Sequence, residues 1–351
     1  MKRRQFVYLV GIATVSGGLA VACEPNSNPT TTIPTPTTAT TELEAGLVIY
    51  SGRNEKLIGE LIKQFEEQTN AKIQVRYGDT AELAAAILEE GANSPADVFF
   101  GQDAGALGAL QKAGRTAQLP SSLVDKVDAA YRSPEGEWVG ITGRVRTVDY
   151  NTNLVKAEEL TSSIFDFTDP KWKGKIAWAP TNGSFQSFVT SLRVVEGEER
   201  AKEWLEGIKA NEPKVYPNNT SIVEALSRGE IAVGFVNHYY LERIKEDSPD
   251  VPVAHHFTQD IGSLVNVAGV AILDSAKNPN IAQRFTEFLL SEDAQNYFAN
   301  ETFEYPLASG VAPQGNLKSL NEIRQQDEKI DLSNLNDLDN TLKLLQEVAV
   351  I

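Results

Sequence analysis

Two adjacent tyrosines, Tyr239 and Tyr240, are the sharpest chemical feature of this 351-residue chain. They follow the strand-like run Glu230 to Val236 and the pair Asn237-His238, so the end of a strand delivers them to the start of a helix. Two neighbouring phenols read in two ways: as half-buried packing residues with hydroxyls at the surface, or as hard oxygen donors to a metal. The residues alone leave both open. Between Gly143 and Tyr150 the period-two alternation puts Arg144 and Arg146 on one face of a strand. Other chemistry is missing. The only cysteine, Cys23, closes the leader, so the mature chain has no thiol nucleophile and no thiolate metal site. There is no Gly-X-Ser-X-Gly elbow and no His-Glu-X-X-His, and the three histidines, His238, His255 and His256, fall in one stretch. A binding protein is expected, not an enzyme.

The elements that position these residues alternate. Val48 to Tyr50 is a β run, and Ser51-Gly52-Arg53 turns it into a helix whose Leu57, Ile58, Leu61, Ile62 and Phe65 keep helical spacing. A strand at Lys72 to Tyr77, a helix from about Thr80 to Glu90 and a strand at Asp97 to Phe100 follow. Further strands are expected at Gly143 to Tyr150, Gly174 to Pro180, Glu230 to Val236 and Leu264 to Leu273. From Pro279 the chain is mainly helical, with an extended break at Tyr305-Pro306. This order predicts an α/β fold with a mixed, mostly parallel sheet flanked by helices, and a ligand beyond the C-terminal strand ends.

The first 23 residues have the order of an export signal: Lys2, Arg3 and Arg4, an uncharged run from Phe6 to Ala22, then small residues before Cys23. Arg3-Arg4-Gln5-Phe6 resembles a twin-arginine signal, with general secretion as the alternative. Cys23 after a small residue resembles a bacterial lipobox, which predicts lipidation at Cys23 and a location in the periplasm or at the cell surface. Residues 24–44, rich in Pro and Thr, have little to bury and read as a disordered tether. With Lys2, Arg3 and Arg4 removed, 32 basic residues become 29 against 48 acidic ones, a net charge of about −19. So acidic a surface argues against nucleic acid as a partner, and leaves the lipid anchor as the expected link to a membrane.

Val48-Ile49-Tyr50-Ser51-Gly52-Arg53, Pro95 to Phe100, Gly143-Arg144-Val145-Arg146, Pro170-Lys171-Trp172-Lys173-Gly174, Gly229 to Ala232 and Asn237-His238-Tyr239-Tyr240 occur in the order found in one family. The chain resembles the class II periplasmic binding proteins and, within them, the transferrin-like bacterial ferric-ion-binding proteins. The resemblance implies two lobes, a cleft between them and a two-strand hinge. The first lobe would comprise residues 45–145 with about 266–310, the second 146–265, and 311–351 a C-terminal helical segment. It also implies a monomer that delivers Fe³⁺ to the permease of an ABC importer.

Ferric ion is hard and favours anionic oxygen, so the resemblance makes Tyr239 and Tyr240 ligands. Two phenolates leave one positive charge on Fe³⁺, and a carboxylate or a synergistic carbonate or phosphate would balance it. The chain departs from better-known members of the family after its first strand, where it has Asn54-Glu55, after its third, where it has Gln102, and at Ser184 in place of a tyrosine. Glu55 and Gln102 are candidate ligands, with a solvated first-turn glutamate the alternative for Glu55. Tyr150 is a packing residue or a ligand. For the anion, Arg144, Asn219 and Asn237 are the contacts the resemblance implies, with Arg53 and Arg146 as further guanidinium candidates; Arg146 also suits a solvated or hinge role. Arg243, one turn after Tyr240, suits a phenolate partner or a surface pair with Glu242 or Glu246, and Asn54 would stand behind the ligands. His238 should point away from the tyrosines, and His255-His256 should lie at the surface. The alternative reading keeps the fold and changes the cargo to a phosphorylated compound or polyamine.

Overall fold

The computed structural model describes residues 46–314, 317–323 and 330–351. The leader with Arg3 and Arg4, the lipidation candidate Cys23 and the tether lie outside the described residues. Strand β1 (Gly46–Ser51) leads into α1 (Glu55–Thr69), β2 (Lys72–Tyr77), α2 (Thr80–Glu90), β3 (Val98–Gly101), α3 (Ala104–Lys112) and the short α4 (Ser121–Val124). The long β4 (Val139–Asn151) precedes β5 (Ile176–Trp178), α5 (Gly183–Glu196), α6 (Glu198–Ala210), β6 (Lys214–Val215), α7 (Asn219–Ser227), β7 (Val233–Asn237), α8 (Tyr239–Asp247) and β8 (Val253–His256). Then come β9 (Val265–Ile272), α9 (Pro279–Leu289), α10 (Glu292–Tyr297), β10 (Tyr305–Pro306), α11 (Leu320–Ile323) and α12 (Leu338–Glu347).

Local chemistry explains the boundaries that matter. Ile58, Leu61, Ile62 and Phe65 form the buried stripe of α1, which ends at Asn70 in the left-handed region, φ 54°. Asp79 accepts from the backbone N–H groups of Ala81 and Glu82 and so starts α2. Asp103 does the same for α3 through Ala106. Both carboxylates satisfy N–H groups that a helix start leaves without partners.

The sheet order is β2-β1-β3-β9-β4-β7-β5-β6, with β8 and β10 also paired to β4. Parallel pairing is confined to β2-β1-β3 in the first lobe and β7-β5-β6 in the second. Every pairing of β4 and β9 to its neighbours is antiparallel, so the sheet is more mixed than the alternation of elements suggests. β9 runs antiparallel to both of its neighbours, β3 and β4, and β4 changes partners along its length. Val145 is the last β4 residue paired with β9, and Arg146 the first paired with β7. All 13 residues of β4 are buried, including the polar and charged Thr142, Arg144, Arg146, Thr147, Asp149 and Asn151, so their side chains must find partners inside the protein. Each lobe has its own aromatic packing, Phe65 with Phe285 and Phe288 in the first and Trp204 with Phe185, Phe188 and Phe235 in the second. No helix among the described residues is long and apolar enough to cross a membrane.

Candidate functional site

Strand β7 ends at Asn237, and His238 makes the turn that aims the tyrosines. His238 is fully buried. Its Nδ1 accepts from the Val145 N–H at 3.1 Å, which leaves Nε2–H to donate to the Phe303 carbonyl at 2.8 Å. Burial lowers its pKa to about 4, so the ring is neutral and both nitrogens are spent on backbone. It packs against the rings of Tyr239 and Tyr305 and does not line the cleft cavity.

Tyr239 and Tyr240, in the first turn of α8, stack with ring centroids 4.3 Å apart and planes tilted by 33°. Burial raises the Tyr240 hydroxyl well above the usual phenol range, and the neighbouring Tyr239 adds to this, while Asn219 and Arg243 oppose it. Tyr240 therefore keeps its proton at neutral pH until a cation competes for the oxygen. The Arg243 guanidinium lies 5.0 Å from the Tyr239 ring centroid and 6.0 Å from that of Tyr240, so it stacks on the pair instead of joining Glu242 or Glu246.

Arg146 lies close to both phenols. It is 4% exposed, rests over Phe188 at 5.4 Å, and donates through Nη1 to Asn237 Oδ1 at 3.1 Å. Its Nη2 is buried without a hydrogen-bond partner. Burial lowers its pKa to about 10, with Tyr239, Tyr240 and Asp149 working in the opposite direction. Asn219 is also buried; its amide donates to Ser184 Oγ at 3.0 Å, while its Oδ1 has no partner. Arg144 donates to the Gln102 carbonyl, and its buried Nε has no partner. A cavity of about 520 Å³ opens here, walled in the second lobe by Ser184, Asn237, Tyr239 and Tyr240, and across it by Gln102 and Asp103. Arg144 and Arg146 both line it.

Other sequence candidates are drawn elsewhere. Arg53 is fully buried and gripped by Glu304 through two bonds, 2.9 and 2.6 Å, with a third to Gln102 Oε1 at 2.8 Å. It does not line the cavity, so the expected anion contact is corrected to an internal ion pair. Gln102 does line it, but its side-chain oxygen serves Arg53. Glu55 and Asn54 are exposed at the start of α1 and do not line the cavity either. Tyr150 packs in the apolar core, opposite Val233 and Ala254 in the sheet, which corrects its ligand reading to the packing one.

The expected surface placement of His255-His256 is corrected too. His255 is held between Asp149 Oδ1 at 2.7 Å and Glu242 Oε1 at 3.0 Å, with its side chain 8% exposed. Burial opposes its charge, but the two carboxylates overcome that and raise its pKa to about 9. His256, half-buried, bonds to the Thr161 carbonyl. Asp103, in the loop after β3, lines the cavity beside Gln102, and Asp79, which also lines it, escaped sequence reasoning. The signal for Asp79 was present, since Asp79-Thr80-Ala81-Glu82 has the spacing of a helix N-cap. Among the described residues, no group of three or more His, Cys, Asp or Glu side chains is arranged to hold a metal ion.

Comparison with known proteins gives the same setting. Residues 60–325 match the family described as bacterial extracellular solute-binding protein. The chain is similar to iron uptake protein A1 of Synechocystis, 35% identical over 296 residues that cover 81% of each chain. It is similar to the structure of iron-bound HitA from Pseudomonas aeruginosa, with TM-score 0.78 and 32% identity, covering 87% of this chain and 99% of that one. It is also similar to a Trichodesmium protein (IdiA, FutA) in complex with iron and citrate, with TM-score 0.74, 32% identity and the same coverage.

Proposed function

The chain belongs to the bacterial extracellular solute-binding protein family, and from that premise we propose that it is an extracytoplasmic Fe³⁺-binding protein that delivers iron to the permease of an ABC importer. One observation carries the reading. Two stacked phenols face a cleft at the start of a helix, beside a buried arginine with a free N–H edge. Relatives in iron uptake support the cargo.

Fe³⁺ takes the two phenol oxygens and displaces their protons, so binding releases protons and weakens in acid. Two phenolates leave one positive charge on the ion, and Arg146 adds another beside it. A carbonate, phosphate or other small oxyanion therefore completes the site, held by Arg146 with Asn219, Asn237 and Arg144 around it. Closure of the lobes then removes the ion from water. The lobes divide at the partner switch in β4, 145/146, and again near 265/266. In the same proposal the protein is a monomer that binds and does not catalyse, tethered in the periplasm or at the cell surface by lipid on Cys23.

A second reading, a phosphorylated solute gripped by Arg144 and Arg146, draws on a cavity larger than a bare ion needs. Titration with ferric ion in bicarbonate separates the two. A visible phenolate-to-iron charge-transfer band that disappears in Tyr239→Phe/Tyr240→Phe supports iron; a colourless protein that binds a sugar phosphate supports the alternative.

A further inference from the structure

We infer that the C-terminal segment 332–347 is a third tie between the lobes and a wall of the cargo cavity, and that its hold on both lobes limits how far the cleft opens. Its first part is laid on the first lobe. The turn Leu332–Asn334 runs across α3, where two glycines leave the helix face bare. A Cβ on Gly108 would stand 2.1 Å from the Ser333 carbonyl oxygen, and one on Gly105 2.3 Å from that of Leu335. Trp138 Nε1 donates to Ser333 Oγ at 3.1 Å, and both residues are buried, as are Leu332 and Leu335.

The next residues are fixed to the second lobe. Arg193, on α5, donates from Nη1 to the Asp337 carbonyl at 3.0 Å and from Nη2 to its carboxylate at 3.0 Å. The same Nη1 reaches Thr341 Oγ1 at 2.8 Å, and Thr341 shares a buried 2.7 Å hydroxyl pair with Thr190. Helix α12 buries Thr341, Leu344 and Leu345, and Lys209 of α6 donates to the Val348 carbonyl at 2.8 Å.

The geometry between the two anchors gives the inference its force. From Leu335 on one lobe to Asp337 on the other is two residue steps, a span of at most about 7 Å even when fully extended. At this edge the lobes cannot part by more than a few ångströms without lifting one anchor or the other. Leu335 and Leu338, on either side of that junction, line the cavity. The segment is therefore positioned to close one side of the cleft as well as to restrain it.

The test uses the full chain with Cys23→Ser, so that spin labels at Glu89→Cys on the first lobe and Glu224→Cys on the second are unique. Gly108→Ala, which favours the helix itself, pushes the segment off α3; Arg193→Gln and Thr341→Val loosen it from α5. In iron-free protein the lobe-to-lobe distance distribution is expected to lengthen and broaden in each variant. The release-rate arm rests on the proposed iron function. Ferric ion should pass to a competing chelator on the order of tenfold faster in Arg193→Gln, the scale of one lost charged hydrogen bond, with the position of the visible band unchanged. Wild-type distances in all folded variants would overturn the inference, whatever the iron result. If Gly108→Ala does not fold, the two α5-side variants decide. A wild-type protein without a band would defeat the iron reading and leave the distance measurement to judge the tie.

Discussion

Replacing Arg146 with methionine should make the iron-free protein more stable and the iron site worse, and the two effects have separable magnitudes. A fall in pKa from 12.5 to about 10 means that folding disfavours the charged guanidinium by about 3 kcal/mol. Methionine removes that cost and fills similar space. It forfeits the stacking on Phe188 and the bond to Asn237, together about 1 to 2 kcal/mol. The net gain is about 1 to 2 kcal/mol, in line with buried ions replaced by apolar groups. Thermal melting of the iron-free proteins at pH 7 reads it directly. For iron, the lost group is the one that would grip the anion, and a charge-assisted bond is worth about 1.5 to 3 kcal/mol, or roughly 10- to 150-fold in affinity. That loss should appear only when bicarbonate or phosphate is present. Without anion, Arg146 merely repels the cation, and the variant should bind iron no worse than wild type. Competitive titration at several bicarbonate concentrations measures both limits. A variant that keeps the wild-type dependence on anion would refute the assignment, and one that melts lower would refute the argument from burial.

Three further outcomes follow from the same geometry. Tyr239→Phe and Tyr240→Phe should each bleach the visible band and lose more than the roughly 10- to 100-fold typical of a second-layer change at a metal site, measured by chelator competition. His255→Gln leaves the buried Asp149 without its cation, while Glu242 keeps Lys245 at 3.0 Å, a loss of about 3 kcal/mol. Because the folded pKa of His255 is raised from 6.5 to about 9, its contribution is full below pH 6.5 and is lost as pH rises through 9. The melting gap between wild type and variant should narrow over that window. Arg53→Met should destabilise by about 3 to 5 kcal/mol by stranding Glu304, and Arg53→Met/Glu304→Leu should recover most of it; neither should shift the iron band.

The strand and helix order was legible because each element carries its own period: Lys72–Tyr77 and Thr80–Glu90 fall where pattern and caps put them. The tyrosine pair was legible for the same reason, as a strand end meeting a helix start. What pattern could not sort was which arginine is free. Arg53 and Arg146 both follow or occupy strands near the cleft, but Arg53 meets Glu304, 251 residues away, whereas Arg146 keeps an N–H edge without a partner. His255 likewise showed no local ligand spacing, because Asp149 comes from β4 and Glu242 from α8. Such partners are chosen by tertiary packing, and periodicity carries no trace of them. That the sheet is mixed was expected, but which strands run antiparallel was not legible: alternation fixes the parallel units within each lobe and not the sense of β4 and β9.

The cavity is chemically one-sided, and this bears on how cargo is taken and released. On the second lobe, Tyr239, Tyr240 and Arg146, whose Nη2 has no partner, line the cavity, and the buried Asn219 Oδ1 is likewise without one. On the first lobe, the oxygen-bearing side chains in the wall already have work: Asp79 and Asp103 cap α2 and α3, and Gln102 serves Arg53. Burial raises the pKa of Asp103, with its helix-cap bonds and Arg144 opposing, so it is held as part of the helix start and is a reluctant anion. In the proposed site, therefore, the second lobe alone captures the cation, and the first lobe contributes by excluding water and by holding the anion's far side through Arg144. In such a site the anion links the lobes. Losing or protonating it cuts the charge balance and the bridge together, so release can follow from anion exchange before either phenolate is protonated. The expected signature is iron loss that accelerates with competing anion at constant pH, in wild type but not in Arg146→Met.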